Sequence, residues 1–204
     1  MGGAGGAPMS PILDAVRRRL CGYFEESDPA SATLTFLGAG ALTILRFGPD
    51  TAGVVTYATV GCSAEPMSDP ADFAPDPVAG PRAELLLPVH GGLDAVTRPL
   101  AMLAAAPTVE GLVLRPGALL DFTAPLWPEA RFTGFVLLDA EVPEVDPAHL
   151  PGAPAGAEPV RFLQAVPATA NELALARAKG AAALVEAWRA QGADPGDPHR
   201  APAV

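Results

Sequence analysis

The sequence predicts one domain in which helices pack with a β-sheet, and three observations carry that expectation. Residues 53–63, GVVTYATVGCS, place Val54, Thr56, Ala58 and Val60 on one side of an extended chain and Val55, Tyr57 and Thr59 on the other. Both sides are largely apolar and rich in β-branched residues, which suits a central strand covered on both faces. Two shorter runs before it, 31–36 and 42–47, are followed by tight turns, so the three strands read as an antiparallel meander. Helix starts are written near both ends of the chain: Ser10 stands before Pro11, and Thr169-Ala170-Asn171-Glu172 forms a capping box. A length of 204 residues with 50% apolar content is enough for one sizeable core.

Residues 1–9 read as a flexible Gly/Ala leader, and 10–192 as the domain proper. After the Ser10 cap, Ile12, Leu13, Val16, Leu20 and Phe24 recur at helical spacing, predicting a helix over 11–23. Arg17, Arg18 and Arg19 project outward and complement the helix dipole. Gly38-Ala39-Gly40 turns the first hairpin, and Gly48-Pro49-Asp50 turns the chain into the strand at 53. That strand stops at Gly61. Residues 64–80 are a proline-rich acidic loop, exposed, with Asp69, Asp72 and Asp76.

Residues 82–89 form a further strand covered on both faces, ending in His90-Gly91-Gly92. A helix follows over 93–106, kinked or interrupted at Pro99. Residues 112–114 are a short extended piece, Arg115-Pro116-Gly117 turns, and 119–122 pairs with the sheet. Trp127 covers core, and 132–138 is a strand. Residues 139–158 make a second acidic loop with Glu141, Glu144, Asp146 and Glu158. A last strand spans 159–166. The helix from the capping box runs on to about 192, with Gly180 either bending it or letting another backbone approach, and 193–204 is a polar tail.

The formal charge of −10 argues against nucleic acid or an anionic membrane as the main partner and suits a soluble, cytoplasmic protein meeting a basic one. No apolar run reaches the ~18 residues of a membrane span, and the N-terminus has no secretion signal. Lys179 is the only lysine, an arginine bias of GC-rich bacterial coding. Cys21 and Cys62 are expected as free thiols.

Several catalytic motifs are incomplete. GAGALT at 38–43 starts like a dinucleotide fingerprint but has Thr43 in place of the third glycine and opens no helix. The acidic loop at 64–80 has no calcium-loop geometry. His90-Gly91-Gly92 resembles an esterase oxyanion loop, but no G-x-S-x-G elbow accompanies it. His90, His149 and His199 lie far apart and no C-x-x-C pair exists, so neither metal nor cofactor is expected. Two alternatives to a binding role stay open: a small hydrolase using Ser63, His90 and an acid of the 64–80 loop, and a small-ligand regulator with a pocket near the central strand.

One set of short motifs, in order and at matching spacing, points to a family. They are Tyr57-Ala58-Thr59-Val60-Gly61-Cys62-Ser63, Ala83-Glu84-Leu85-Leu86-Leu87 and Leu114-Arg115-Pro116-Gly117, followed by Phe162-Leu163 and the run from Val166 to Leu173. Gly180, Leu184, Asp194-Pro195 and Arg200 complete them. In these the chain resembles suppressor-of-fused-like domains of the short bacterial kind. The resemblance implies an α+β fold with a mixed, mainly antiparallel sheet flanked by helices. It also implies protein binding, not catalysis. Animal members sequester a transcription factor, holding its peptide as an added strand between this domain and a second one. Bacterial relatives are associated with immunity to toxins delivered between cells. With 204 residues there is no room here for that second domain, and its contacts are not carried over. The partner-facing residues expected instead are Gly61, Cys62, Ser63 and Glu65 of the turn, Asp69, Asp72 and Asp76 of the first loop, and Glu141, Glu144 and Asp146 of the second. Acidic loops of this kind would speed encounter with a basic toxin domain.

Overall fold

The computed structural model describes residues 10–204 except 36–39, 69–70, 72 and 75. Helix α1 is Pro11–Tyr23, started by Ser10, whose side chain accepts from the Leu13 amide at 3.3 Å. Seven strands follow in one sheet: β1 Ala30–Thr35, β2 Ala41–Phe47, β3 Val54–Val60, β4 Arg82–His90, β5 Leu119–Asp121, β6 Gly134–Asp139 and β7 Val160–Ala168. Their order is β1-β2-β3-β4-β7-β6-β5. Only β4 and β7 are parallel, so the sheet is mixed and mainly antiparallel, as the α+β expectation has it. β3 is an interior strand, but the middle of the sheet is β4, one position further in. The Gly38-Ala39 part of the first turn lies outside the described residues.

Side-chain alternation assigns the faces. On β7, Val160, Phe162, Val166 and Ala168 point to one side, Leu163 and Ala165 to the other. The first side is covered by α1 through Ile12, Val16 and Leu20, and by two C-terminal helices, α3 Ala170–Lys179 and α4 Ala181–Ala190. The second side is covered by α2, Thr97–Glu110, through Leu100, Leu103 and Ala104, together with Trp127 and Phe132. The 139–158 loop is not simply solvated. Val142 and Val145 are buried under it, and Val145 bridges Val160.

Several elements differ from the sequence reading for local reasons. Pro99 does not kink α2. A 3-10 turn at Asp94–Val96 precedes the helix, which puts Pro99 in its first turn, where an amide has no intrahelical partner to lose. The helix runs past Pro107 to a left-handed Gly111 cap. Residues 112–114 join no strand. The last helix is broken at Gly180 rather than bent: its φ of 86° and ψ of 158° are open only to glycine, and α4 starts afresh. Residues 193–204 do not behave as a loose polar tail. Arg200 and Ala203 are buried, and Gly196 accepts from the His90 amide at 2.9 Å.

This last contact explains a topological oddity. β4 and β7 pair only as far as Leu86↔Gln164 and then separate. Pro88 and Pro167 sit beyond that point, where an amide facing the gap has no ladder to join. The C-terminal segment bridges the parted strands, taking the His90 amide on one and giving an Arg200 bond to the Pro167 carbonyl, 2.8 Å, on the other. One end of the sheet is thereby plugged. The other end is left to the loops. Among the described residues no helix is long and apolar enough to cross a membrane.

Candidate functional site

The open end of the sheet gathers the end of β3, the starts of β4 and β7, and the end of β6. The 61–68 turn, residues 78–82 and the 139–146 and 158–161 stretches of the second loop therefore meet there. β4 organises them. Its Arg82 and Glu84, two positions apart and on one face, are both buried in a strand that is apolar from Leu85 to Val89.

Glu84 takes the donors of the turn. Its Oε1 accepts from the Gly61 amide at 2.9 Å, the Ser63 amide at 3.0 Å and the Ser63 hydroxyl at 2.6 Å. Its Oε2 accepts from the Thr59 hydroxyl at 2.5 Å. Arg82 takes the acceptors: its Nη1 donates to the carbonyls of Ser63 (2.8 Å) and Ala64 (2.9 Å), and its Nη2 to that of Val78 (3.3 Å). The 61–64 turn is thus held by both its donors and its acceptors. Gly61 enters it at φ 139°, with Ala41 and Leu42 packed where a side chain would be.

Beside this turn lies a cleft of about 590 Å³, between α1 at Leu13 and α2 at Ala104, Ala105 and Thr108. Met67 and Leu42 form its apolar floor, while Glu65 and Ser68 stand exposed on its rim. Cys62 lines it as well. Burial, reinforced by Glu84, pushes its thiol well above its ordinary value.

The expected site residues divide. Gly61, Cys62 and Glu65 line the cleft, while Ser63 is buried behind it with its hydroxyl spent on Glu84. Asp69 and Asp72 lie outside the described residues. Asp76 is exposed but turned on its own loop, accepting from the Val78 and Ala79 amides, which hold its carboxyl below the usual range. Glu144 pairs with Arg161 at 3.0 Å, and Asp146 caps the Pro147–His149 turn through the Ala148 amide. Glu141 is exposed. The first loop is anchored rather than free, since Met67 is buried and its sulfur accepts from the Leu114 amide.

The hydrolase arrangement is not assembled. His90 pairs with Val54 at the start of β3, whereas Ser63 lies beyond the end of that strand. The two are roughly 20 Å apart at ~3.3 Å per residue. His90 instead meets Asp194 at 2.8 Å. Among the described residues no cluster of three metal-ligating side chains exists.

Sequence reading missed the parts played by Arg82 and Glu84. The available signal was a pair of opposite charges at i, i+2 in a strand already read as covered on both faces, because buried charges demand partners.

Comparisons place this architecture. A Neisseria gonorrhoeae SUFU homolog superposes with a TM-score of 0.66 at 17% identity, covering 95% of this chain and 97% of that one. Sufu from a Sufu–Fu complex gives 0.69 at 12% identity, with 95% and 92% covered. Drosophila Suppressor of Fused gives 0.64 at 13% identity over 88% of this chain, which spans about half the length of that protein (47%). The comparison with curated proteins finds no match. The sequence model of the suppressor of fused protein family matches residues 38–201, most of the chain. The chain belongs to the suppressor of fused family.

Proposed function

We propose that this protein is a non-catalytic, protein-binding domain whose partner docks on the open end of the sheet, at the cleft beside the 61–64 turn. The observation that carries this reading is the clamp on that turn. Arg82 and Glu84 spend their hydrogen bonds on positioning backbone, and the result is a rigid, apolar-floored recess with a carboxylate at its lip. A preformed recess of this kind lets a partner side chain bury apolar surface without first ordering the receptor. Sufu bound to Fu supports protein binding by this fold.

In its specific form the partner is a basic toxin domain, neutralised in the cytoplasm by this chain acting as an immunity protein. The net charge of −10, with Glu65 on the rim and Glu141 and Glu144 in the neighbouring loop, favours fast encounter with such a surface.

The test is a pull-down with this protein as bait from its own cell lysate, repeated with the exposed cleft residues altered as Glu65→Arg and Thr108→Trp. A single stoichiometric partner captured by the wild type and lost by both folded variants supports the reading. A clean lane, or a partner retained by both variants, overturns it. A captured protein that is harmless when expressed alone removes the immunity form and leaves the binding role.

A further inference from the structure

The described structure contains two buried arginines, and they are neutralised differently. Arg200 faces Glu172, with Nη1 to Oε1 at 2.6 Å and Nη2 to Oε2 at 2.9 Å. Arg82 is as deeply buried, at 3% exposure, yet among the described residues no carboxylate forms an ion pair with it. Its acceptors are three neutral carbonyls, and its Nε, like that of Arg200, is buried without a partner. A buried cation without a counter-charge is costly, and an orphaned buried donor calls for a missing acceptor. Burial pulls this guanidinium below its ordinary value despite the attraction of Glu65 and Glu158.

Arg82 lines a hollow of about 250 Å³ under the second loop, with Arg115, Arg161, Glu144 and Glu158 around it. Glu144 is held by Arg161 at 3.0 Å. That leaves Arg82 and Arg115 beside Glu158, with Glu65 acting on Arg82 from the neighbouring turn, and no carboxylate bonded to either arginine among the described residues. The hollow is smaller than the ~300–1,000 Å³ typical of drug-sized ligands, which suits a single small oxyanion group.

We propose that this hollow is an oxyanion subsite, taking a carboxylate or phosphate group against Arg82 and Arg115. It is separate from the cleft, and it stands whether or not a partner docks there. Guanidinium groups match the geometry of both anions, so the group comes either as a free phosphate or as the acidic terminus of a peptide.

The experiment follows the arginine Nε–H signals of the full chain by NMR. Inorganic phosphate is titrated at constant ionic strength, and in parallel an N-acetylated peptide with a free carboxylate. A saturable shift of the Arg82 signal with either probe is expected, and the probe that saturates identifies the source. Arg115→Gln should weaken binding about tenfold by removing one charged contact, and Glu158→Gln should tighten it. Both positions are exposed, so these variants keep the fold even where an Arg82 variant does not. Thermal stabilisation by the same probe should rise with its concentration as ligand binding requires. A linear response no different from chloride, meaning an adventitious ion only, would overturn the proposal, as would unchanged affinity in Arg115→Gln.

Discussion

Two buried carboxylates do different work, and each can be tested by one atom. Glu84 accepts four hydrogen bonds, two of them from backbone amides that have no other partner within the turn. Glu84→Gln keeps the shape but replaces one accepting oxygen by a donor. At least one buried donor is then unsatisfied, which costs about 1–3 kcal/mol. A urea titration should show the midpoint fall with no change of slope; an unchanged midpoint would mean the carboxylate is dispensable. Glu172 is the other case. Burial is the largest single influence and raises its pKa, but Arg200, the Thr169 and Ala203 amides and the Trp188 indole together outweigh it and leave it lowered. A carboxylate lowered in the folded state contributes stability that is complete above the ordinary glutamate value, ~4.3, and is lost as pH falls through its native value. Stability should therefore hold above about pH 4.3 and decline as pH drops below it, through the lowered native value. In Glu172→Gln that decline should be shallower, measured by urea midpoints across the window.

At the scale of elements, what was legible depended on whether a signal was local. α1 and the start of α3 were written in their caps, and β2, β3, β4 and β7 in their runs of apolar residues, so all were found within a residue or two. The turn at 61–64 was found because the apolar run stops at Gly61. Its clamp was hidden, since Arg82 and Glu84 reach back about twenty residues to partners that only strand pairing brings near. Gly180 shows the same limit. Sequence marks a glycine in a helical pattern, but whether it bends or breaks the helix depends on where α4 must pack, through Leu184 and Trp188, on the core. Gly180→Ala tests this. A side chain there meets open space, so the cost comes from backbone conformation alone and should be about 1–3 kcal/mol. A variant as stable as wild type by thermal unfolding would show that α3 and α4 can fuse into the single helix that the periodicity suggests.

For the molecule as a whole, the two ends of the sheet are finished by opposite means. One is closed by the chain's own C-terminal segment, and the other is held open by β4. The closure rests on few atoms: Arg200 joins Glu172 and Pro167 and lies over the rings of Phe132 and Trp188, and the Ala203 amide completes Glu172. Truncation after residue 192 would remove all of these together and leave Glu172 buried beside Trp188 with no cation. Losing one partner of a buried pair costs about 3–5 kcal/mol, and in a chain of this size each kcal/mol is worth roughly 2–4 °C. The truncated protein should thus melt roughly 6–20 °C below the full chain by calorimetry. Hydrogen exchange should locate the loss in α3, α4 and the ends of β6 and β7. If only residues beside the cut lost protection, the segment would be an ornament on a domain that closes without it. A loss reaching β6 and β7 would show that the last twelve residues are part of the core and that this end of the sheet is closed by the chain itself.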